Sequence, residues 1–299
     1  MMRVLFIVNP TAGRGRALRT WKHIEKMIPR ALQYDVAVPA SCPATRRVAA
    51  EAARAGIERV IAVGGDGTLA AVAGELAHTG TSLGVVCAGT GNDFGRNCGL
   101  PRHLPAALEI ALGKETQRID LGLVDDGRHF INAAGIGFDA EVAAAASAYP
   151  TRLGGTLPYL LGALRTIGRY APMKVEVTVD DQRFTGPATL VVVANGQHYG
   201  GGMRIAPYAS HDDGKLDVCI AGALSRLEIL TLLRQVYTGT HVFHPRVRMA
   251  CGERIRVRVC GAARMHLDGD PGNCGEYAVQ IQPGALSVAM PAAVRRAFP

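Results

Sequence analysis

The chain has 299 residues, of which 48% are apolar, and this is enough for one large domain or two ordinary ones. Its formal charge of +8 suits nucleic acid, phosphorylated ligands or an anionic bilayer, and it suits an arginine-rich solvated surface equally well. Aromatic residues make up only 5% of the chain and do not alternate with arginine, so we expect no nucleic-acid partner.

Cysteine usage and hydropathy indicate the compartment. The seven cysteines include no C-x-x-C pair, which argues against a disulfide framework or a structural zinc and favours a reducing compartment. Residues 1–15 lack the pattern of a signal peptide, and no apolar run reaches transmembrane length. We therefore expect a cytoplasmic protein that associates with a membrane only peripherally.

The first part of the chain alternates strands and helices. Short apolar runs predict strands at 3–8, 34–38, 59–63 and 83–87, and helical patterns separate them. This alternation is typical of a parallel sheet, in which ligands bind at the carboxyl ends of the strands. We predict an α/β fold whose N-terminal, Rossmann-like domain covers residues 1–117.

After residue 118 the pattern changes to short alternating segments. Six of them read as strands: KVEVTVDDQRF, ATLVVVANG, KLDVCIAG, RIRVRV, ARMHLDG and YAVQIQP. Two helical patterns, at about 155–170 and 225–238, interrupt the series. The pattern predicts a C-terminal antiparallel β-sandwich domain over residues 118–299, with the extreme C-terminus free to pack back on the first domain.

Three glycine-rich turns follow strands of the first domain: Asn9–Gly15, Gly64–Thr68 and Gly89–Asp93. Consecutive small residues leave amide groups free to bind an anion, and a helix that begins at once adds the positive end of its dipole. Each turn alone is more often a tight connection, but together they form a stronger signal. Neither a Walker motif nor a G-x-G-x-x-G motif is present.

Two of these turns carry an aspartate, Asp66 or Asp93, and Thr68 stands where a helix N-cap is expected. Carboxylates repel bound phosphates unless Mg²⁺ bridges the two. Backbone amides, a divalent ion and a carboxylate are what phosphoryl transfer needs.

The motifs NPTAG, GGDGTL and GTGNDFGR, in this order, resemble the catalytic domain of diacylglycerol kinases. They are most similar to the soluble bacterial lipid kinases of the YegS/DgkB type. The later blocks FINAAGIGFDAEV, PYLLGALR, ANGQHYGGGMRIAPYASHDDGKLDV and LDGD agree, so the resemblance covers essentially the whole chain. It implies an ATP-dependent kinase that phosphorylates a diacylglycerol-like lipid at an anionic membrane.

The resemblance also implies site residues. The nucleotide and its phosphates would contact Asn9, Pro10, Thr11, Ala12, Gly13, Ser41 or Thr45, Gly64, Gly65, Asp66, Gly67, Thr68, Gly89, Thr90, Asn92 and Asp93. Catalytic Mg²⁺ would be held by Asp66, Asp93 and Asp120. A second, structural metal would take Asp213 and main-chain carbonyls near Ser210 and Lys215. Asp66 would also be catalytic, and Asp268 and Asp270 fall where the general base and its partner sit.

The chain departs from the family pattern at three places. Cys87 stands where the family has a proline, CPAT replaces a GDAT block, and Asp270 replaces a glutamate. The last change shortens the side chain by one methylene, so the choice between Asp268 and Asp270 as the base stays open.

Several interpretations also stay open. His266, near Asp268, suits either an acid–base pair or a strand residue with its own hydrogen bond. The leucines of the two helical patterns suit core packing, an acyl pocket or a bilayer contact. The arginines of RIRVRV suit a solvated face or an anionic-lipid contact.

Two other functional classes compete with a lipid kinase. One is an NAD-kinase-like enzyme that phosphorylates a soluble nucleotide, and the other is a nucleotide-responsive binding protein without catalysis. The particular lipid and the oligomeric state, a homodimer included, are not readable from motifs. No G-x-S-x-G elbow supports a hydrolase.

Overall fold

The structure, a computed structural model, describes residues 2–147 and 157–291. The chain divides into two units. The first runs to Asp120 and resumes at Gly284, and the second is Leu121–Pro283. The sequence-based limit between residues 117 and 118 lies inside a strand that spans Thr116–Val124.

The first unit is built mainly from alternating strands and helices. They are β1 (Val4–Val8), α1 (Arg16–Met27), β2 (Tyr34–Ala37), α2 (Cys42–Arg54), β3 (Arg59–Gly64), α3 (Asp66–Leu76), β4 (Ser82–Cys87), α4 (Asp93–Asn97) and α5 (Leu104–Leu112). The four strands predicted from the apolar runs all form, within one or two residues of the expected ends.

The remaining elements are mostly strands. They are β5 (Thr116–Val124), β6 (His129–Phe130), β7 (Ala133–Gly137), α6 (Phe138–Ser147), α7 (Leu157–Ile167), β8 (Met173–Val179), β9 (Gln182–Ala194), β10 (Leu216–Gly222), α8 (Arg226–Thr238), a 3-10 helix (Thr240–Phe243), β11 (Val247–Gly252), β12 (Arg254–Leu267) and β13 (Asp270–Ala289). Both helical patterns predicted in this part form helices, although residues 155 and 156 of the first lie outside the described residues.

The sheet of the first unit has the order β2-β1-β3-β4, and every neighbouring pair is parallel. Val288, near the end of β13, extends it by pairing parallel with Leu83. Strands β1 and β3 are buried along their whole length, as parallel strands covered on both faces must be. Because all strands point the same way, the loops that carry the three glycine-rich turns leave from one edge of the sheet.

The second unit is antiparallel, as the alternating pattern predicted. The long strands β9 and β12 each pair with β8 over one part and with β7 over another. Strand β12 places Ile255, Val257 and Val259 in the core and its arginines at the surface. The α/β class and the β-sandwich-like second domain are confirmed. No helix in the described ranges has the length and apolar character needed to cross a bilayer.

Candidate active site

Glycines allow the three predicted turns to meet at the carboxyl edge of the first sheet. Gly13 has a positive φ of 55°, and a Cβ there would collide with the carbonyl oxygen of Ala88. A Cβ on Gly89 would collide with the Cα of Gly65. Only residues without side chains permit backbones to approach this closely, so glycine is a packing requirement at these positions.

Asn9 ties the first turn to the second. Its Nδ2 donates to Thr68 Oγ1 at 2.8 Å, while its Oδ1 accepts from the amide of Thr11 at 3.0 Å. The backbone amide of Asn9 donates to Val63 O at 3.1 Å. Asn9 therefore fixes the shape of the turn through all three of these groups.

The prediction that Thr68 is an N-cap is wrong. Helix α3 begins at Asp66, so Thr68 is already inside its first turn, with its hydroxyl engaged by Asn9. Gly65 is the N-cap residue, and no side chain in the described part of the chain caps this helix. The first amides of α3 are thus left for water or a ligand to satisfy.

The start of α3 is open where a phosphate would approach. Gly67 is exposed, and no described atom lies within 4 Å of the position that a Cβ on it would occupy. Its φ is not in the left-handed region, so neither packing nor backbone conformation explains a glycine here. The space fits an anion bound to helix amides, which is the fit expected for the phosphates of ATP.

The other nucleotide candidates differ in accessibility. Thr11, Ser41 and Thr90 are exposed. Thr45 is buried inside α2, where its hydroxyl donates to Ser41 O at 3.0 Å. Asn92 closes the third turn, since its side chain accepts from the amide of Gly89 and donates to the carbonyl of the same residue.

Asp66 and Asp93 form an electrostatically coupled acid pair. Asp66 Oδ1 accepts from the amide of Phe94 at 2.9 Å. Burial, and then the charge of Asp93, raise the pKa of Asp66, against the lowering effect of amides at the start of α4. Asp93 is buried and ion-paired with Arg96. A divalent cation would relieve the repulsion between the two carboxylates.

The chemistry of this acid pair fits Mg²⁺ bound together with phosphates. Within residues 2–147 and 157–291, no group of three or more His, Cys, Asp or Glu side chains forms a ready-made metal site. Mg²⁺ commonly needs only one or two protein carboxylates when a nucleotide supplies further oxygens. Asp120, the third predicted ligand, is buried in β5 and accepts from the amide of Gly284 at 2.7 Å.

Cys87, at the position of the family's proline, packs directly against Gly95. A Cβ on Gly95 would collide with the sulfur, so the turn accommodates cysteine through a glycine partner. Burial, and then the charge of Asp66, raise the pKa of Cys87 to about 12. The side chain is therefore a neutral thiol at physiological pH.

The predicted structural-metal segment is a surface loop before β10. Asp213 Oδ1 accepts from the amide of Lys215 at 3.0 Å, and the hydroxyl of Ser210 donates to Asp212. Burial, and then Asp213, raise the pKa of Asp217 to about 6. Asp212 and Asp217 are two further acids of this segment that were not among the predicted metal ligands.

In the second unit, the predicted base region is a tight hairpin between β12 and β13. Asp268 (φ 50°) and Gly269 (φ 91°) form its two-residue turn, because Leu267 pairs with Asp270. The Asp268 carboxylate accepts from the amides of Ile131, Asn132 and Ala133 at 2.7, 2.8 and 3.1 Å. Asp268 therefore anchors the hairpin to the segment before β7.

His266 has its own hydrogen bond, to a residue that the sequence prediction did not single out. Its Nε2 lies 3.0 Å from Oδ2 of Asp139, at the start of α6. Asp139 lies in the block FINAAGIGFDAEV, but only the strand register brings it to His266, which is 127 residues away in the sequence.

The first unit has three glycine-rich turns that meet beside a coupled acid pair, and the second unit is rich in strands. This combination is that of an α/β phosphotransferase. Two family models match: the diacylglycerol kinase catalytic domain over residues 3–124, and the YegS C-terminal NAD kinase beta sandwich-like domain over residues 132–290. The chain belongs to the diacylglycerol kinase and YegS family, and it is an ATP-dependent lipid kinase.

Individual relatives are similar to this chain over most of their length. The diacylglycerol kinase of Mycobacterium tuberculosis (strain H37Rv) is 30% identical over 97% of this chain and 95% of its own. A probable YegS-like lipid kinase of Xanthomonas campestris is 32% identical over 88% of each chain. The fold is similar to that of a putative diacylglycerol kinase from Bacillus anthracis, with a TM-score of 0.81, 23% identity, and coverage of 98% of this chain and 96% of that one.

The open start of α3 generates a prediction for Gly67→Ala. Alanine favours helix over glycine by roughly 0.5–1 kcal/mol, so the variant should unfold at a slightly higher temperature. Its Cβ should nevertheless occupy phosphate space and raise KM for ATP about tenfold or more. Thermal unfolding and steady-state kinetics measure the two effects.

Gly80→Ala is the matched control, because no described atom lies within 4 Å of a Cβ on that glycine either. It should leave KM for ATP unchanged. An unchanged KM in Gly67→Ala would show that phosphate does not bind at the start of α3.

Proposed function

We propose that this lipid kinase transfers the γ-phosphate of ATP to the hydroxyl group of a diacylglycerol-like lipid. The hydroxyl oxygen bonds to the γ-phosphorus, the bond from that phosphorus to the bridging oxygen breaks, and ADP leaves. The observation that carries the nucleotide half is the open, glycine-lined start of α3 beside Asp66. The lipid acceptor follows the names of the relatives, several of which are diacylglycerol kinases.

The proposed nucleotide site uses residues 1–117, and the lipid site uses residues 118–299. Backbone amides of the three turns meet the phosphates, with Thr11 and Thr90 exposed beside them. Ser41 fits a nucleotide contact better than Thr45, because Thr45 is buried and bonded within α2. Asn9 and Asn92 act mainly by shaping the turns.

Asp66 and Asp93 are the proposed ligands of the catalytic Mg²⁺, with Asp120 completing their network. When bound, the ion would neutralise charge on the phosphate oxygens during transfer. The chain's own contribution is to hold Asp66 against the amide of Phe94 and Asp93 against Arg96. We also propose that Asp213, with carbonyls near Ser210 and Lys215, holds a second metal in the loop before β10.

Of the two hairpin aspartates, Asp270 is the proposed general base. Asp268 already accepts three backbone hydrogen bonds, so its two oxygens are committed to anchoring the hairpin. Asp270 is the next carboxylate along the turn and takes the position of the family's glutamate. In this assignment Asp270 receives the proton of the lipid hydroxyl as the oxygen attacks.

We propose that one exposed face of α8 contacts the membrane from the cytoplasmic side. Leu227 is 76% exposed, and Leu230 and Tyr237 are also exposed at helical spacing from it. Arg226 and Arg234 are exposed on the same helix, which suits anionic headgroups. The other basic candidate is less suitable, because Arg256 and Arg258 are ion-paired with Glu276.

The two hairpin aspartates should respond differently to the same substitution. Asp270→Asn removes the proposed base and should lower kcat about 10²–10⁴-fold. Asp268→Asn places an amide group against backbone donors and should destabilise the fold by about 1–3 kcal/mol. Kinetics and thermal unfolding of both variants test the assignment. Near-normal turnover in Asp270→Asn would exclude it as the base.

The acceptor is tested by incubating the enzyme with ATP, Mg²⁺ and a panel of acceptors, followed by mass spectrometry. Diacylglycerol vesicles should give a phosphatidate, whereas NAD⁺ and samples without acceptor should give no phosphorylated product. Omission of divalent ions should abolish the reaction. Exclusive phosphorylation of ceramide, sphingosine, undecaprenol or phosphatidylglycerol would contradict the proposed acceptor. The assignment as a lipid kinase would still hold.

The membrane face is tested with the double variant Leu227→Ser, Leu230→Ser. Each buried leucine contributes about 1.5–3 kcal/mol, so binding to vesicles that contain an anionic lipid should fall at least about tenfold even with partial insertion. Activity on a water-soluble short-chain diacylglycerol should not change. Vesicle sedimentation and kinetics provide the measurements.

Val36→Ser, at an exposed position of the edge strand β2, is the control and should bind vesicles normally. If the double variant keeps vesicle binding but turns a dimer into a monomer in solution, the face is a contact between two copies of the chain.

A further inference from the structure

His266 stands at the centre of a buried polar cluster beside the hairpin turn. Its side chain is 5% exposed and that of Asp139 is 8% exposed. The Tyr199 ring stacks on the imidazole with centroids 5.7 Å apart and an interplanar angle of 16°. Nδ1 of His266 lies 3.3 Å from the amide nitrogen of Gly269, inside the turn. The cluster therefore connects the start of α6 to the residue that precedes Asp270.

The hydrogen bonds assign one tautomer to His266. A backbone amide can only donate, so Nδ1 must accept from Gly269 and carries no hydrogen. Nε2 then carries the hydrogen and donates it to Asp139 Oδ2. Asp139, by holding Nε2–H, keeps the opposite nitrogen available as the acceptor for the turn.

The surroundings of Asp139 are built for this contact. Oδ2 also accepts from the hydroxyl of Tyr199 at 3.2 Å. A Cβ on Gly135, in β7, would collide with both Asp139 Oδ2 and His266 Nε2, so glycine makes room for the pair. Within the described residues, Oδ1 of Asp139 is buried without a hydrogen-bond partner. A buried carboxylate oxygen left in this way is costly, which favours a role beyond packing.

The turn is held from two sides. Asp268 is anchored by the three amides before β7, and its own amide donates to Ala133 O at 2.9 Å. Gly269 is held by His266. Both turn residues have positive φ angles, and the backbone between them sets where Asp270 begins.

We propose that His266, oriented by Asp139 and Tyr199, is a positioning residue that fixes the Gly269 amide and thereby directs Asp270. This inference rests on the proposed role of Asp270 as the base. His266 itself touches no reacting atom. It acts by holding the turn in the one arrangement in which a shortened carboxylate reaches the lipid hydroxyl.

Two substitutions of His266 separate its two hydrogen bonds. Asparagine places an acceptor oxygen near the Nδ1 position and keeps the bond to Gly269. Glutamine places a donor near the Nε2 position and keeps the bond to Asp139. His266→Gln should lower kcat about tenfold, whereas His266→Asn should lower it less than about threefold, since one hydrogen bond is at stake. KM for ATP should not change in either variant.

His241→Gln is the matched control. His241 is another buried histidine of the second unit, and its ring bonds to the backbone carbonyl of Ile205 rather than to the turn. This variant should keep normal kcat. Equal losses of kcat in all three variants, or losses that follow the unfolding temperature, would overturn the positioning role.

Amide exchange at Gly269 tests positioning without reference to the base. Exchange should accelerate at least about tenfold in His266→Gln and little in His266→Asn. Accelerated exchange together with near-normal turnover of Asp270→Asn would retain the held turn and reject Asp270 as the base. Unchanged exchange in His266→Gln would reject the positioning proposal while leaving the kinase assignment intact.

Discussion

Backbone-to-backbone packing at the carboxyl edge of the first sheet is the constraint on which the proposed nucleotide site depends. Gly13 lies against Ala88, and Gly65 lies against Gly89, with no space for a side chain at either glycine. These contacts fix three separate loops relative to one another. The amides at the start of α3 and the carboxylates of Asp66 and Asp93 are thereby brought together, although the two acids follow different strands.

The same packing keeps two acids close in a partly dehydrated position. Burial and the charge of Asp93 both disfavour ionised Asp66, and the amides at the start of α4 offset only part of that cost. Acids held at such a cost are frequent at functional sites. Magnesium with a polyphosphate would remove the repulsion, so the arrangement is less favourable alone than with its ligands.

In the second unit, the two-residue turn between β12 and β13 sets where Asp270, the proposed base, begins. Asp268 and Gly269 have to adopt positive φ angles, and the aspartate–glycine pair is well suited to such a turn. Asp268 then uses its carboxylate for anchoring and His266 holds the other side. The division explains why two neighbouring aspartates need not share one role. Under the proposed assignment, the position of the turn matters more than the length of the side chain at position 270.

The sequence by itself determined the alternation of strands and helices, the three glycine turns and the buried face of β12, because these follow from spacing along the chain. It also determined the family, through motifs that are local.

The tertiary structure decided the rest. Helical spacing grouped the leucines of α8 but did not show that Leu227 and Leu230 face outward, since a stripe does not reveal its partner. The sequence predicted Thr68 as a helix N-cap, but in the structure its hydroxyl accepts a hydrogen bond from Asn9, 59 residues away in the sequence. Asp139 meets His266 only through the pairing of Gly135 with His266 between β7 and β12. Such contacts depend on strand register and loop closure, which no short window of residues contains.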